Sequence, residues 1–307
     1  MKFQFLCVLL TIFLLSSCAN KPPQVINKVI RDTIIINKST EERESVRMAN
    51  PGKFKISTEY YPAAGQDERV RFLILHYTAI DLDTSIRVLT QQEVSSHYLI
   101  PEGYDNKIYQ LVDESKRAWH AGVSYWKGIN NVNFSSIGIE IVNLGNFQGE
   151  ITDDVPDGRY FYNYPKQQID KVGEISKDIV DRYKIDPVNV LGHSDVAPQR
   201  KPDPGPNFPW KRLYDEYGVG AWYEDVHVNM YLPNFPYDKI DTYSFILSVQ
   251  NDFNKYGYEI QKTGEWDKQT ENVIRAFQYH FRPDRHNGVL DAETWAILQA
   301  LILKYRS

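Results

Sequence analysis

The spacing of apolar residues in the central part of the chain predicts three buried strands. From Val70 to Tyr77 the run VRFLILHY is almost continuously apolar, which is typical of a strand covered on both faces. The segment SSIGIEIVN alternates instead, so three isoleucines between Ile137 and Ile141 share one face while Glu140 projects from the other. A third, short strand is predicted in PVNVLGH, which ends at His193.

Helices and a hairpin are predicted between these strands. The segment DTSIRVLTQQEVS has the pattern of a helix that is capped by Asp83 or Thr84. Its core-facing residues are predicted to be Ile86, Leu89 and Val94. The segment HYLIPEGYDNKIYQLV has the pattern of a hairpin, and residues 165–183 that of a long helix. Strands that alternate with helices predict an α/β fold with a mixed central β-sheet flanked by helices.

The C-terminal part of the chain has a different, purely helical pattern. TGEWDKQT and NGVLDAET share the motif G-x-x-D-x-x-T, in which the glycine permits a tight turn and Asp267 or Asp291 can cap the following helix. Together with the helical spacing in SFILSVQNDFNKYGY, these repeats predict a small three-helix bundle. Residues 216–242 lack a regular pattern and include Pro233 and Pro236, so they are predicted to link two folded parts.

The N-terminal segment predicts export and lipid attachment. MKFQFLCVLLTIFLLSSC has one positive charge and then an apolar run of signal-peptide length, which is too short for a comfortable membrane span. Its end, LSSC, resembles the lipobox of bacterial lipoproteins, which implies that Cys18 becomes the lipidated first residue. By resemblance to sorted lipoproteins, Ala19 in place of an aspartate implies anchoring in the outer membrane, facing the periplasm.

Composition narrows the choice of partners. The 307-residue chain has a formal net charge of -5, so there is no basic excess that would attract nucleic acid. Cys7 and Cys18 are its two cysteines, and Cys7 would leave with the signal peptide. The mature chain would therefore retain no thiol for a disulfide bond, although it enters an oxidising compartment.

Reactive side chains stand at the ends of the predicted strands. His76, Glu140 and His193 each lie within or directly after an apolar run. Because strand ends gather at one edge of a sheet, the two imidazoles can meet at one metal ion although they are distant in sequence. A third ligand can come from the loop LGHSDVAPQRKPDPGPNFPW, where Asp195 and Asp203 are both candidates. Prolines fix φ in this loop and make it rigid without making it regular.

Four of these segments resemble one family when taken in order. FLILHYTA, AWHAG, IGIEIVN and GHSDVAPQRKPDPGP resemble the zinc-dependent N-acetylmuramoyl-L-alanine amidases, which include anhydromuramyl-peptide amidases and peptidoglycan recognition proteins. The resemblance covers residues 54–213. It implies that His76, His193 and Asp203 bind Zn²⁺. It also implies that Glu140 activates the attacking water and that Lys201 stabilises the oxyanion of the substrate.

Further residues are predicted to contact the substrate. Trp119 and His120 lie in AWHAG, and with His97 they are predicted to face the cleft and to bind peptide or sugar. For His97, a packed and hydrogen-bonded position in the core is an equal alternative. The remaining histidines lie outside the matched segments and are interpreted as ordinary residues: His227, His280 and His286.

The C-terminal part resembles a second family that acts on the same polymer. SVQNDFNKYGY, TGEWDKQT, AFQ and GVLDAETW resemble a peptidoglycan-binding domain of the three-helix type. The predicted partners are therefore peptidoglycan, through glycan strand and stem peptide, and a lipid bilayer at Cys18. We expect that removal of this part weakens wall binding more than turnover of small substrates.

The predicted organisation has five parts: a lipoprotein signal peptide (1–18), a tether (19–52), a zinc amidase catalytic domain (53–215), a linker (216–242) and a peptidoglycan-binding three-helix domain (243–307). The predicted reaction is hydrolysis of the amide between N-acetylmuramic or anhydromuramic acid and L-alanine. Two alternatives are a non-catalytic peptidoglycan-recognition protein and a zinc peptidase that cuts within the stem peptide.

Overall fold

A five-stranded sheet forms the centre of the described part of the chain. The computed structural model describes residues 50, 52–54, 64–103, 105–153 and 155–306. The strands are β1 (Phe72–Tyr77), β2 (Tyr98–Ile100), β3 (Tyr109–Gln110), β4 (Tyr125–Trp126), β5 (Ile129–Asn130), β6 (Ser136–Ile141), β7 (Asn146–Gln148), β8 (Arg159–Phe161) and β9 (Val190–Gly192). The helices are α1 (Leu82–Gln91), α2 (Lys166–Tyr183), α3 (His193–Val196), α4 (Trp210–Tyr217), α5 (Asp225–Tyr231), α6 (Tyr243–Tyr256), α7 (Lys268–Phe281) and α8 (Ala292–Tyr305).

The central sheet is mixed, as the sequence predicts. Its strand order is β3-β2-β6-β1-β9. Strand β3 is antiparallel to β2 and forms the predicted hairpin, whereas β2, β6, β1 and β9 are parallel. Every residue of β1 is buried, which agrees with its continuous apolar run. The pairs β4–β5 and β7–β8 form two separate small hairpins.

Helix α1 differs from the prediction at both ends. Its cap is Asp81 and not Asp83 or Thr84, because Oδ1 of Asp81 accepts a hydrogen bond of 3.0 Å from the backbone N–H of Thr84. The helix ends at Gln91, so Val94 lies beyond it and is 46% exposed, not turned toward the core. The predicted core residue Leu89 is buried.

The repeated motif near the C-terminus has the predicted capping role. Asp267 and Asp291 accept hydrogen bonds of 2.9 Å from the backbone N–H groups of Thr270 and Thr294, and helices α7 and α8 begin after them. The glycines of both motifs have positive φ, +72° and +80°. A tight glycine turn before a capped helix therefore occurs twice, joining α6 to α7 and α7 to α8.

One hydrophobic cluster contains side chains from the sheet and from the C-terminal helices. Trp126 of β4 packs edge-on against Tyr256 and Tyr258, with ring centroids 6.0 and 4.9 Å away. The segment that the sequence predicts as a linker, residues 216–242, contains helix α5. Phe235, which follows this helix, is buried in the same cluster. Residues 65–307 accordingly form one compact unit. Within the described residues, no helix is long and apolar enough to cross a membrane.

Candidate active site

Three neighbouring parallel strands bring the candidate chemical groups to one edge of the sheet. His76 in β1 is paired in register with Glu140 in β6, and His193 directly follows Gly192, the β9 residue paired with Leu75. Because the strands lie in the order β6, β1, β9, His76 stands between Glu140 and His193.

The donor atoms of the three predicted metal ligands form a triangle. Nδ1 of His76 lies 3.0 Å from Nδ1 of His193, and Oδ2 of Asp203 lies 3.0 Å from each of these nitrogens. All three side chains are buried. Together they could hold one metal ion. The structure thus brings His76 together with two residues that lie more than a third of the chain away from it.

Hydrogen-bond chemistry favours a cation at this triangle. Nε2 of His193 lies 3.0 Å from the carbonyl oxygen of Ala121, and a carbonyl can only accept, so Nε2 carries the proton. When Nδ1 carries no proton, as metal binding requires, it presents a lone pair to the Asp203 carboxylate 3.0 Å away. Two acceptors this close repel each other unless positive charge lies beside them, and a divalent ion supplies that charge.

Two of the candidate ligands, His76 and Asp203, are held in the protonation states that bind metal. Burial, reinforced by His193 and partly opposed by Asp203, lowers the pKa of His76 to about 4. Burial alone would raise the pKa of Asp203, but His193 and His76 outweigh it and the pKa falls well below its ordinary value. At neutral pH the site therefore offers a neutral His76 imidazole and a carboxylate.

A second layer of hydrogen bonds orients His76. Its Nε2 lies 3.0 Å from Nδ1 of His120, and Nε2 of His120 lies 3.1 Å from Oγ of Ser136. Burial, and next the neighbouring His76, lowers the pKa of His120 well below its ordinary value, so the ring is neutral. With one proton on each Nε2, His76 donates to His120 and His120 donates to Ser136. Nδ1 of His76 is then left free for a metal ion.

Gly138 leaves the space that His120 occupies. It alternates onto the same face of β6 as Glu140, and a Cβ placed there would lie 2.4 Å from Cγ of His120. Real Cβ atoms do not approach other heavy atoms this closely. The glycine in IGIEI is therefore a sequence signal for a side chain packed against the strand, and it points to His120.

Replacing Gly138 with alanine should displace His120 and weaken metal binding. The added methyl group forces the ring off Nε2 of His76, and loss of such an outer hydrogen bond typically costs about 10–100-fold in metal affinity. Chelator competition with Zn²⁺ measures this change. Gly65→Ala is the control, because nothing lies within 4 Å of a Cβ at that position. Unchanged affinity in Gly138→Ala would contradict the assigned role of His120.

Glu140 is a partly exposed residue whose carboxyl oxygen Oε2 is buried. Oε2 has no hydrogen-bond partner among the described residues. Burial, and next the charge of Asp203, raises the pKa of Glu140 well above its ordinary value, while Lys201 opposes the shift. A carboxyl group with a raised pKa beside a candidate metal site is a candidate for proton transfer.

The proline-containing loop is fastened close to both histidine strands. The backbone N–H of Ser194 donates to the carbonyl oxygen of Asp203 at 2.8 Å, which joins the two ligand segments. Arg200 donates to the carbonyl oxygens of Ala121 and Val123, with 2.7 Å to Val123. The predicted irregular loop is wrong at its start, because Leu191 and Gly192 belong to β9 and His193–Val196 form helix α3, whereas residues 197–209 are irregular.

An open cleft of about 380 Å³ lies in front of these groups. Predicted site residues that line it are Trp119, His120, Glu140, His193, Lys201 and Asp203. The ring of Trp119 is half exposed and lies 3.6 Å from the Arg117 guanidinium. A larger cavity of about 650 Å³ beside α5 and α8 contains none of the predicted site residues. The smaller cleft is therefore the candidate active site.

His97 lies behind the cleft wall and not on it. It is fully buried, and its Nδ1 accepts a hydrogen bond of 3.0 Å from the backbone N–H of Gly138. Its Nε2 lies 3.1 Å from the carbonyl oxygen of Lys116. Because both ring nitrogens are bonded to the backbone, the structure favours the core position over substrate contact for His97.

Asp195, the alternative third ligand, forms hydrogen bonds away from the candidate metal site. Its two carboxylate oxygens accept hydrogen bonds from Gly192, Tyr258 and His280. No pattern in the sequence points to Tyr258, and the sequence predicts no special role for His280. Their contacts with Asp195 arise from long-range packing of α7 and the α6–α7 connection, for which the sequence has no local signal.

The predicted signal peptide with Cys18, and most of the predicted tether, lie outside the described residues.

A candidate metal site beside a partly unpaired carboxyl group, open to a cleft, is the constellation of a hydrolytic enzyme. An N-acetylmuramoyl-L-alanine amidase family model matches residues 66–206, and a peptidoglycan binding domain model matches residues 242–298. The N-acetylmuramoyl-L-alanine amidase AmiD of Escherichia coli strain K12 is 44% identical over 243 residues, 77% of this chain and 84% of that protein. The chain belongs to the N-acetylmuramoyl-L-alanine amidase family.

Solved structures agree over most of the chain. AmiD from E. coli in complex with anhydro-N-acetylmuramic acid-L-Ala-D-gamma-Glu-L-Lys has a TM-score of 0.72 and 39% identity, covering 82% of this chain and 96% of that one. AmpDh3 from Pseudomonas aeruginosa in complex with anhydromuramic pentapeptide has a TM-score of 0.74 and 42% identity, covering 83% of this chain and 99% of that one. These matches confirm the predicted family and the predicted fold class.

Proposed function

We propose that the protein is a zinc-dependent enzyme that hydrolyses the amide bond between the lactyl group of N-acetylmuramic acid, or its anhydro form, and the L-alanine of the stem peptide. The observation that carries this proposal is the triangle of His76, His193 and Asp203 donor atoms, 3.0 Å apart, beside Glu140. Membership in the amidase family supports the reaction, and the substrate complexes of AmiD and AmpDh3 support the substrate class.

The donor set fits zinc. Catalytic zinc sites use three protein nitrogen or oxygen ligands and leave one position open. In tetrahedral geometry, donors about 2.0–2.2 Å from one ion lie roughly 3.3–3.6 Å from each other, so the 3.0 Å triangle needs to widen by only a few tenths of an ångström. His76, His193 and Asp203 would hold the ion. When bound, zinc lowers the pKa of a water molecule from about 15.7 to about 7 and polarises the substrate carbonyl.

Glu140 is the proposed proton carrier. Its raised pKa means that it can take a proton from the attacking water and later return that proton to the leaving nitrogen of L-alanine. Its position in register with His76 places it at the same sheet edge as the metal ligands, and its unpartnered Oε2 is available for this exchange.

Lys201 is the proposed partner of the developing oxyanion. Its side chain is exposed at the cleft, and among the described residues Nζ has no hydrogen-bond or ion-pair partner that would hold it elsewhere. A positive charge at this place stabilises the alkoxide more than the ground-state carbonyl. Comparable oxyanion donors contribute about 2.7–4 kcal/mol to transition-state stabilisation. Trp119 at the rim offers an aromatic face on which a sugar or peptide can stack.

We also propose where the enzyme acts. Lipidation of Cys18 would anchor it in the outer membrane, facing the periplasm, and each buried CH₂ of the acyl chains would add about 0.8 kcal/mol to membrane affinity. The tether would let residues 53–215 reach the wall, and residues 243–307 would bind peptidoglycan through the three-helix domain. The family match at residues 242–298 supports the last assignment.

Product analysis tests the function directly. Soluble protein that lacks residues 1–18 should release stem peptides from purified peptidoglycan, and these peptides should carry a free L-alanine amino terminus by mass spectrometry. Treatment with a chelator should abolish release, and added Zn²⁺ should restore it. Shortened stems would support the peptidase alternative, and binding without any cleavage would support a recognition protein. Cleavage that is unaffected by metal removal would refute the zinc-dependent mechanism.

A further inference from the structure

Asp195 is a buried carboxylate that joins the catalytic sheet to the C-terminal helices. Its Oδ2 accepts hydrogen bonds of 2.8 Å from the backbone N–H of Gly192 and of 2.8 Å from Nδ1 of His280. Its Oδ1 accepts a hydrogen bond of 2.6 Å from the hydroxyl of Tyr258. The carboxylate is 1% exposed. Two of the donors that satisfy it therefore come from the C-terminal part of the chain.

These two donors are held rigidly by aromatic packing. The Tyr258 ring lies edge-on to Trp126, with centroids 4.9 Å apart. The His280 ring lies between Trp210 and Phe281, at 3.8 and 4.0 Å and nearly parallel to both. Burial, followed by the charge of Asp195, raises the pKa of Tyr258 well above its ordinary value, so its hydroxyl remains a donor. Neither donor can move far without disturbing the shared core.

Asp195 in turn fixes the segment that carries the metal ligands. The N–H group from which Asp195 accepts this hydrogen bond belongs to Gly192, the residue directly before His193. The next hydrogen bond along the chain runs from Ser194 N–H to the Asp203 carbonyl oxygen, at 2.8 Å. One short path of hydrogen bonds thus leads from the C-terminal helices to His193 and to Asp203.

Packing allows little slack on this path. A Cβ at Gly192 would lie 2.7 Å from Cδ of Pro204, so the two ligand segments are in direct contact there. A second link lies at the surface, where Gln199 of the liganding loop donates to the carbonyl of Gln269 at 3.1 Å and accepts from Asn272 at 2.9 Å. Helix α7 therefore holds the loop at more than one point.

We propose that Tyr258 and His280 are positioning residues of the metal site: through Asp195 they set the spacing of His193 and Asp203, so the C-terminal helical unit is a structural part of the active site as well as a wall-binding module. This inference rests on the proposed zinc-dependent function. It differs from the expectation that removal of the C-terminal part would mainly affect wall binding.

The test compares two tyrosines in the full-length protein. Tyr258→Phe removes the hydroxyl that Asp195 accepts and keeps the ring. Tyr256→Phe is the matched control, because it removes the hydroxyl of a buried tyrosine in the same aromatic cluster that makes no hydrogen bond to Asp195. Zn²⁺ dissociation constants are measured by chelator competition, and the visible absorption of Co²⁺-substituted protein reports ligand geometry. Unfolding in urea records the stability of each variant.

Tyr258→Phe should raise the Zn²⁺ dissociation constant about tenfold, at the low end of the range for outer-shell changes, and should shift the Co²⁺ spectrum. Tyr256→Phe should leave the dissociation constant and the spectrum unchanged, even if it lowers the free energy of unfolding as much as Tyr258→Phe does. At the second donor, His280→Asn keeps an N–H near the position of Nδ1 and should retain more affinity than His280→Leu. A merely structural role would lower stability without this separation between variants.

The outcomes separate this inference from the proposed function. If the wild type fails to bind one equivalent of Zn²⁺, the proposed metal site is wrong and the positioning role falls with it. If the wild type binds Zn²⁺ and Tyr258→Phe has the same affinity and Co²⁺ spectrum as Tyr256→Phe, only the positioning role is overturned. Equal weakening in both tyrosine variants would also overturn it, since a general loosening of the core would then be the cause.

Discussion

Asp203→Ala should lose its bound zinc while the sheet remains folded. The substitution removes the one anionic donor of the triangle and leaves His76 and His193, whose Nδ1 atoms lie 3.0 Å apart, without a negative charge to balance a divalent ion. Loss of a direct ligand should weaken Zn²⁺ binding by more than the roughly 100-fold upper range of outer-shell changes. Metal analysis after gel filtration should find almost no zinc, and amidase activity should fall in proportion.

Asp195→Ala is the informative comparison for this result. Asp195 is as buried as Asp203, yet its oxygens are engaged by Gly192, Tyr258 and His280. Without the carboxylate these three donors lose their acceptor, and each donor that stays buried and unpaired lowers the free energy of unfolding by about 1–3 kcal/mol. We therefore expect a large loss of unfolding free energy with weakened but detectable zinc. If Asp195→Ala were free of zinc and Asp203→Ala retained it, the assignment of the third ligand would be reversed.

The convergence of His76, Glu140 and His193 could be predicted because it depends on local patterns. Apolar runs and, for the strand of Glu140, an alternating pattern identify the strands, and the ends of neighbouring parallel strands gather at one edge of the sheet. The third ligand could not be derived in this way. Asp195 and Asp203 lie in the same proline-containing stretch of sequence, and the resemblance to the amidase family, not their spacing, distinguishes them. The structure supports Asp203 because Asp195 points into the contact with the C-terminal helices.

Side chains that act from behind the site were hardest to predict. His97 and His120 have similar sequence surroundings, because each lies next to a short buried segment. In the structure, however, His97 forms hydrogen bonds with backbone atoms, whereas His120 forms one with His76. Gly138 could have indicated the difference, since it leaves room for one ring against the strand. Tyr258 and His280 carry no such signal, because their partner is distant in sequence and is reached only through the packing of helices on the sheet.

Glu140→Gln should abolish most activity and, in the metal-free protein, raise stability. Glutamine cannot carry the proton between water and the leaving nitrogen, so the rate should fall by about 10²–10⁴-fold. Zinc should remain bound, because Glu140 is not one of the three donors of the triangle. A neutral amide also avoids the cost of the poorly solvated carboxylate, whose pKa is raised by burial and by Asp203. Zinc content and turnover are measured on the same samples.

The pH dependence of this stability gain has a definite sign. Between the unfolded pKa near 4.5 and the raised folded pKa, the native wild type holds a proton that the unfolded chain has lost, so its stability falls as pH rises. The advantage of Glu140→Gln should therefore be small at acid pH and grow to about 1 kcal/mol or more above neutrality. Urea unfolding of chelator-treated protein at several pH values measures it, with Glu102→Gln as the control at an exposed glutamate. An advantage that shrinks as pH rises would show that Glu140 is well solvated or paired, and would remove the physical basis for its role as proton carrier.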